Sequence, residues 1–332
     1  MSQQIFKNQD FRIEPLRDQD KYEILEIRNE QLYHLRQSEP LTKEKQESYF
    51  ATVVSNLFEQ EYPNQLLFSF FENNEFIGYG GLVHINWIDK NAEISFVMKT
   101  KLEKDHFAKY WSNFLKLIEV VAFDQLNFHK IFTFAFDLRP HLYEVLNASG
   151  YNEEARLKEH CYFDNHFLDV VFHAKFNRKI SFRKANDSDM MLYFNWANDS
   201  SVRENSYQSN VISIENHQSW FLNKIIDSNC QMLVFENHLH QAIGQVRIQI
   251  NTDKTAIIGI SNDCQHRGKG YASLMIDKAT ELFLKENPQM VVSAYIKIEN
   301  QASTKAFEKA GFVIDSTIIY EGSPSYLYIK KI

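Results

Sequence analysis

The chain has 332 residues, 44% hydrophobic and 14% aromatic, which favours two domains of ordinary size with bulky cores over a single one. A formal net charge of -7 with no long basic block argues against a general nucleic-acid binder. No apolar run reaches the roughly 18 residues a membrane span needs, and the first ten residues lack a signal-peptide core, so no span and no secretion signal are expected.

Taken in order, residues 11–16 read as a strand stopped near Pro15. Helices are expected over 18–37 and 42–58, then strands over 65–71, 76–85 and 92–98, with Gly78 marking a bulge or a close backbone approach. A long helix is expected from about 104 to 126, a strand over 131–136 and a helix over 140–149 ended by Gly150. Strands at 160–163 and 168–176 close this half. Cys161, Cys230 and Cys264 are too widely spaced for a disulfide framework or a zinc site, so free thiols in a reducing cytoplasm are expected and no metal.

The same order then repeats after about 165 residues, a domain-sized period. Residues 180–185 parallel 11–16, residues 232–235 and 242–248 parallel the next two strands, and 256–261 parallel 92–98. The boundary falls near 177–179. The expected fold class is α/β (α+β), as two tandem domains, 1–177 and 178–332, each a twisted mixed β-sheet flanked by helices.

Between the strand at 256–261 and the helical pattern of 273–286 lies Gln265-His266-Arg267-Gly268-Lys269-Gly270-Tyr271-Ala272. Two glycines allow positive φ, successive N–H groups can turn inward, and the following helix adds its positive end. Such a turn suits a phosphate or diphosphate, with Arg267 and Lys269 beside it. It also suits an ordinary tight turn, and it carries neither a third glycine nor a Gly-Lys-Ser/Thr. A second segment, residues 300–312, starts with Asn300 as a helix cap and ends at Gly311, with Ala302, Ala306 and Ala310 on one face.

Together the two segments resemble the GNAT superfamily of N-acetyltransferases. The resemblance implies that Ile260 and Ser261 on the strand, Gln265 through Ala272 on the loop, and Asn300, Ser303 and Phe307 on the helix bind acetyl-coenzyme A. The first half differs. Residues 102–108 carry Glu103 and Asp105 and no glycine, and Arg139, Leu142 and Leu146 stand where Asn300, Ser303 and Phe307 stand in the second. Conversely, the Glu that many family members carry early in the fourth strand as a base is Glu93 in the first half and Ile257 in the second. Phe307 replaces the family's frequent acid, a Tyr.

The segments 195–207 and 212–221 resemble amino-sugar N-acetyltransferases of the pseudaminic-acid and related nonulosonate pathways, and the match continues through Gly244-Gln245-Val246-Arg247. It implies Trp196, Arg203, Asn205, His217 and Trp220 as acceptor contacts and His217, with Glu93, as catalytic. Either Trp also fits an amphipathic helix core, and His217 also fits a surface histidine. The implied reaction is acetylation of a small-molecule amine, a nucleotide-linked amino sugar, with no nucleic-acid partner and a homodimer left open. A protein N-terminal acetyltransferase of the ribosomal-protein type and a non-catalytic acyl-CoA-binding scaffold are the alternatives.

Overall fold

The computed structural model describes residues 4–35, 37, 39–251 and 254–331. The chain divides into two units, Met1–Asn177 and Arg178–Ile332. In the first run β1 (Phe6–Asn8), β2 (Phe11–Pro15), α1 (Lys21–Glu30), α2 (Lys43–Tyr49), α3 (Ser55–Leu57), β3 (Leu66–Glu72), β4 (Glu75–Asn86), β5 (Asn91–Met98), α4 (Thr100–Glu119), β6 (Lys130–Phe136), α5 (Pro140–Ala148), β7 (Asn152–Phe163) and β8 (His166–Phe176). In the second run β9 (Ile180–Lys184), α6 (Met190–Ala197), α7 (Ser200–Asn205), α8 (Ile214–Ile225), β10 (Cys230–Asn237), β11 (Ala242–Ile250), β12 (Thr255–Asn262), α9 (Tyr271–Glu286), β13 (Val291–Lys297), α10 (Gln301–Lys309), β14 (Val313–Tyr320) and β15 (Ser323–Lys330).

Strand order is β1-β2-β3-β4-β5-β6-β8-β7 in the first sheet and β9-β10-β11-β12-β13-β15-β14 in the second. Each is a mixed sheet, parallel at β5–β6 and at β12–β13 and antiparallel at its other pairs among the described residues. Because successive strand residues point to opposite faces, each sheet buries two apolar surfaces. Phe70 and Phe96 pack under α4 against its Phe114, with Phe96 and Phe114 stacked at 4.2 Å. Phe71, Phe76, Tyr79 and Val97 pack on the opposite face with Ile24, Ile27 and Phe50. In the second unit Val246, Ile258, Ala294 and Ile296 pack with α9 and α10, while Val234 packs with Trp196 and Phe221.

The repeat extends to single contacts. Gly150 and Gly311 end α5 and α10 with φ of +83° and +80°. Lys175 and Lys330 each reach back to a carbonyl at those helix ends, Ser149 at 2.9 Å and Ala310 at 2.8 Å. A cation on the last carbonyls complements the helix dipole. Gly78 and Gly244 each follow a bulged residue, and at each a Cβ would stand 2.5 Å or less from a carbonyl oxygen of the adjoining strand.

Several boundaries differ from expectation. The strand β1 lies before the first expected one, held by pairing to β2. The helix expected over 18–37 is a 3₁₀ turn at Asp18–Asp20 and then α1, which ends at Glu30; Arg36 lies outside the described residues. The segment expected as one helix over 42–58 widens into a π turn at Phe50–Val54. The helix expected from about 104 starts at Thr100 instead, because the Gln31 amide bonds both the Met98 carbonyl and the Thr100 hydroxyl and fixes the chain there. Among the described residues no helix is long and apolar enough to cross a membrane.

Candidate functional site

The site begins where the parallel strands part. β12 and β13 pair only at Thr255–Val291, Ala256–Val292 and Ile257–Ser293, although both strands run on. Past that point Ile258 through Asn262 and Ala294 through Lys297 face an opening, whose exposed backbone groups must find other partners. The loop carrying Gly268 and Gly270 lies at the end of β12, at the mouth of this opening.

Gly268 and Gly270 have φ of +73° and +79°, and no atom lies within 4 Å of where a Cβ would stand at either. The loop is therefore exposed backbone with open space beside both glycines. It ends at the first turn of α9, whose leading N–H groups have no partner within the helix. That geometry fits a diphosphate. Lys269 is exposed beside it, while Tyr271 is buried and anchors the helix start.

A polar network props the loop from below. Asp263 accepts from the Gln265 N–H at 3.0 Å, contacts His266 Nδ1 at 3.0 Å, and accepts from Trp196 Nε1 at 3.2 Å. Burial pushes the Asp263 carboxyl up, but these bonds outweigh it and hold the group below the usual carboxylate range. Arg267 donates to Asp199 at 2.6 Å and to the Asn262 carbonyl at 3.2 Å. So Trp196 and Arg267 tie α6 and the start of α7 to the loop of residues 263–270. Asn300 caps α10, accepting from Ser303 N at 3.1 Å, and Phe307 is buried against Phe312. Asn300 and Ser303 thus shape the helix start, and Phe307 belongs to the core.

The acceptor-side residues are placed less uniformly. Arg203 donates to the carbonyls of Gln208 and Asn210 and to the Ser206 hydroxyl, so it folds the loop after α7. Asn205 bonds back to the Ser201 carbonyl on an exposed face. His217 is 2% exposed, packed by Phe194, Trp220 and Phe221, and its Nε2 has no partner among the described residues. Burial pushes its pKa down, which leaves it neutral at neutral pH. Trp220 lies under the Arg247 guanidinium at 5.3 Å.

Strand alternation brings Ser261, expected from the sequence to bind the cofactor, onto one face with residues that were given no role there. On β13, Val292, Ala294 and Ile296 are buried against α9 and α10, so Ser293, Tyr295 and Lys297 point to the α6–α8 face. On β11 and β12 the same face carries Gln245, Arg247, Gly259 and Ser261, with Arg247 opposite Gly259 and Gln245 bonded to Ser261 at 3.3 Å. Tyr295 stacks on Tyr320 at 3.9 Å, and Tyr207 meets Tyr320 edge-on at 4.9 Å. Lys297 donates to the Glu204 carbonyl at 3.1 Å. The alternation in 291–297 was the available sequence signal, but it gained meaning only with the parting of the strands.

The first unit has the same opening and no loop. β5 and β6 pair at Asn91–Lys130, Ala92–Ile131 and Glu93–Phe132 and then separate. Glu93 occupies the last pair, as Ile257 does in the second unit, is 9% exposed, and contacts His84 Nδ1 at 2.8 Å. α4 starts two residues after β5 ends, so Glu103 and Asp105 lie within its first turns instead of in a loop. Glu103 accepts from Tyr33 at 3.1 Å and pairs with Arg139 at 3.3 Å.

Two family models described as acetyltransferase (GNAT) domain match the chain, one over residues 13–172 and another over 179–313. No curated protein matches it. Among solved structures the chain is similar to aminoglycoside acetyltransferase AAC(6')-Ib in complex with coenzyme A, at 17% identity over 46% of this chain and 95% of that one, with a TM-score of 0.41. It is likewise similar to spermidine N-acetyltransferase from Vibrio cholerae in complex with CoA and spermine, at 20% identity over 45% of this chain and 92% of that one, TM-score 0.41. The family matches together span nearly the whole chain and meet an exposed glycine loop at the end of a strand that parts from its neighbour: the chain belongs to the GNAT acetyltransferases, with two such domains in tandem, and is an N-acetyltransferase that uses acetyl-CoA.

Proposed function

We propose that the second unit acetylates an anionic, ring-bearing amine, a nucleotide-linked amino sugar of surface-glycan biosynthesis. The observation that carries this reading is the charge of the acceptor face. Arg247 and Lys297 both point to it, and among the described residues neither has a carboxylate within ion-pair distance. Asp199 is already paired to Arg267, and Glu321 acts on Tyr207 and Tyr320 from the β14–β15 turn. Two cations without counter-charges suit phosphates and repel a polyamine.

Acetyl-CoA supplies the acetyl group as a thioester. The chain holds the cofactor at the backbone of 268–272 and at the free edge of β12, with Lys269 beside the diphosphate. The amine attacks the thioester in its neutral form, and Ile257 stands where a carboxylate base could. The reaction is assigned to a reducing cytoplasm, in keeping with free thiols at Cys161, Cys230 and Cys264.

The test is an acceptor panel of nucleotide-linked amino sugars, spermidine and N-terminal peptides, followed by free coenzyme A release. Turnover with the anionic sugars is expected. Arg247→Ala and Lys297→Ala should each raise the acceptor KM by about ten- to a hundredfold, the loss of a charge-assisted contact of roughly 1.5–3 kcal/mol. Turnover confined to spermidine or to peptides overturns the reading.

A further inference from the structure

The wall of the acceptor face along β13 carries more than charge. Tyr295 and Tyr320 stack at 3.9 Å with their planes 10° apart, and Tyr207 closes on Tyr320 at 4.9 Å. All three rings are half-buried, not sealed in the core. The Tyr207 hydroxyl is fixed by Ser325 at 2.9 Å. The hydroxyls of Tyr295 and Tyr320 have no hydrogen-bond partner among the described residues. Burial, with Glu321 next, pushes the Tyr320 hydroxyl up, while Arg247 pulls it down, so this platform and the cation of β11 act on each other across the same face.

Packing alone does not explain the arrangement. Half-buried tyrosines on β13 and β14, the two strands that flank β15, present both ring surface and polar tip to this face. Lys297, two residues along the same face from Tyr295, adds a cation at the platform's edge. Flat aromatic surface beside unpaired cations is the combination that holds a nucleobase and its phosphates.

We infer that Tyr207, Tyr295 and Tyr320 form the platform on which the base of a nucleoside diphosphate stacks, with Lys297 beside its phosphates, so that these residues set acceptor specificity. The inference rests on the anionic-acceptor reading above and names the part of the acceptor that is recognised. Tyr207 joins the platform from the loop after α7, which Arg203 folds. This gives Arg203 a positioning role toward the acceptor without touching it.

The experiment is a calorimetric titration of the full chain with UDP, with the cofactor loop saturated by coenzyme A so that the nucleotide cannot occupy it. UDP should bind more tightly than inorganic pyrophosphate. Tyr295→Leu and Tyr320→Leu should each weaken UDP by about tenfold or more. Tyr295→Phe and Tyr320→Phe should stay within about threefold of the parent, because the stacking face is kept. Coenzyme A affinity should be unchanged in all four, which shows that they fold. UDP binding no tighter than pyrophosphate, or Leu variants that bind UDP as the parent does, overturns the inference. If the Leu variants keep the parent's KM for a UDP-linked amino sugar, the platform falls and the acceptor assignment stands. If UDP binding is lost in them but no amino sugar is acetylated, the assignment falls and the platform stands.

Discussion

Gly270 concentrates the chemistry of the loop in one residue. Its φ of +79° costs a non-glycine residue about 1–2 kcal/mol, and the space at its Cβ position is open. Gly270→Glu therefore adds backbone strain and sets a carboxylate against a diphosphate. Calorimetry should show coenzyme A binding lost in this variant, while the melting temperature falls by only a few degrees. His217 shows the opposite case. A histidine read from the sequence as an acceptor contact lies among three aromatic rings, and residue type alone could not separate the two environments.

At the scale of elements, α7 has no buried residue and depends on its ends. Asp199 caps it, accepting from Val202 N at 3.1 Å, and also pairs with Arg267 of the cofactor loop. At the other end Lys297 holds the Glu204 carbonyl. Asp199→Asn keeps the cap and removes the charge. Burial pushes the Asp199 carboxyl up, but the Arg267 bond and the capped N–H groups outweigh it and hold it below the usual range. A depressed carboxylate contributes stability above its unfolded pKa of about 4 and loses it as pH falls through the folded value. The gap in melting temperature between parent and Asp199→Asn should therefore be small and constant above about pH 4 and close below it. A gap that widens on acidification would contradict the pairing. At neutral pH the same variant should raise the acceptor KM more than it changes coenzyme A affinity.

For the whole molecule the question is what the first unit does. It keeps the sheet, the parted strands and Glu93, but α4 follows β5 without a loop, and Arg139 and Tyr33 both bond Glu103 there. Nothing in that arrangement cradles a diphosphate. Coenzyme A should therefore titrate to one site per chain, and two sites of similar affinity would refute this. Glu93→Gln should leave turnover within about twofold, since the opening beside Glu93 has no cofactor loop. A loss of a hundredfold or more would instead make Glu93 a base for the reaction. Residues 178–332 expressed alone provide the matching control.

The strands, the repeat and the loop were legible in the sequence because each rests on local chemistry. Alternation marks a strand, glycines at 268 and 270 permit a positive φ, and Asn300 and Gly311 bracket a helix. The start of α4 was not legible, since a contact from Gln31, about 70 residues away, decides it. Nor were the roles of Arg203, Arg247, Tyr295 and Tyr320. Whether a cation bonds a nearby carbonyl or faces an opening depends on which strands part and which helix closes over them. The sequence by itself determined the family and the glycine loop after β12; only the tertiary structure decided which side chains share the face proposed for the acceptor, because that is settled by contacts between residues far apart in the chain.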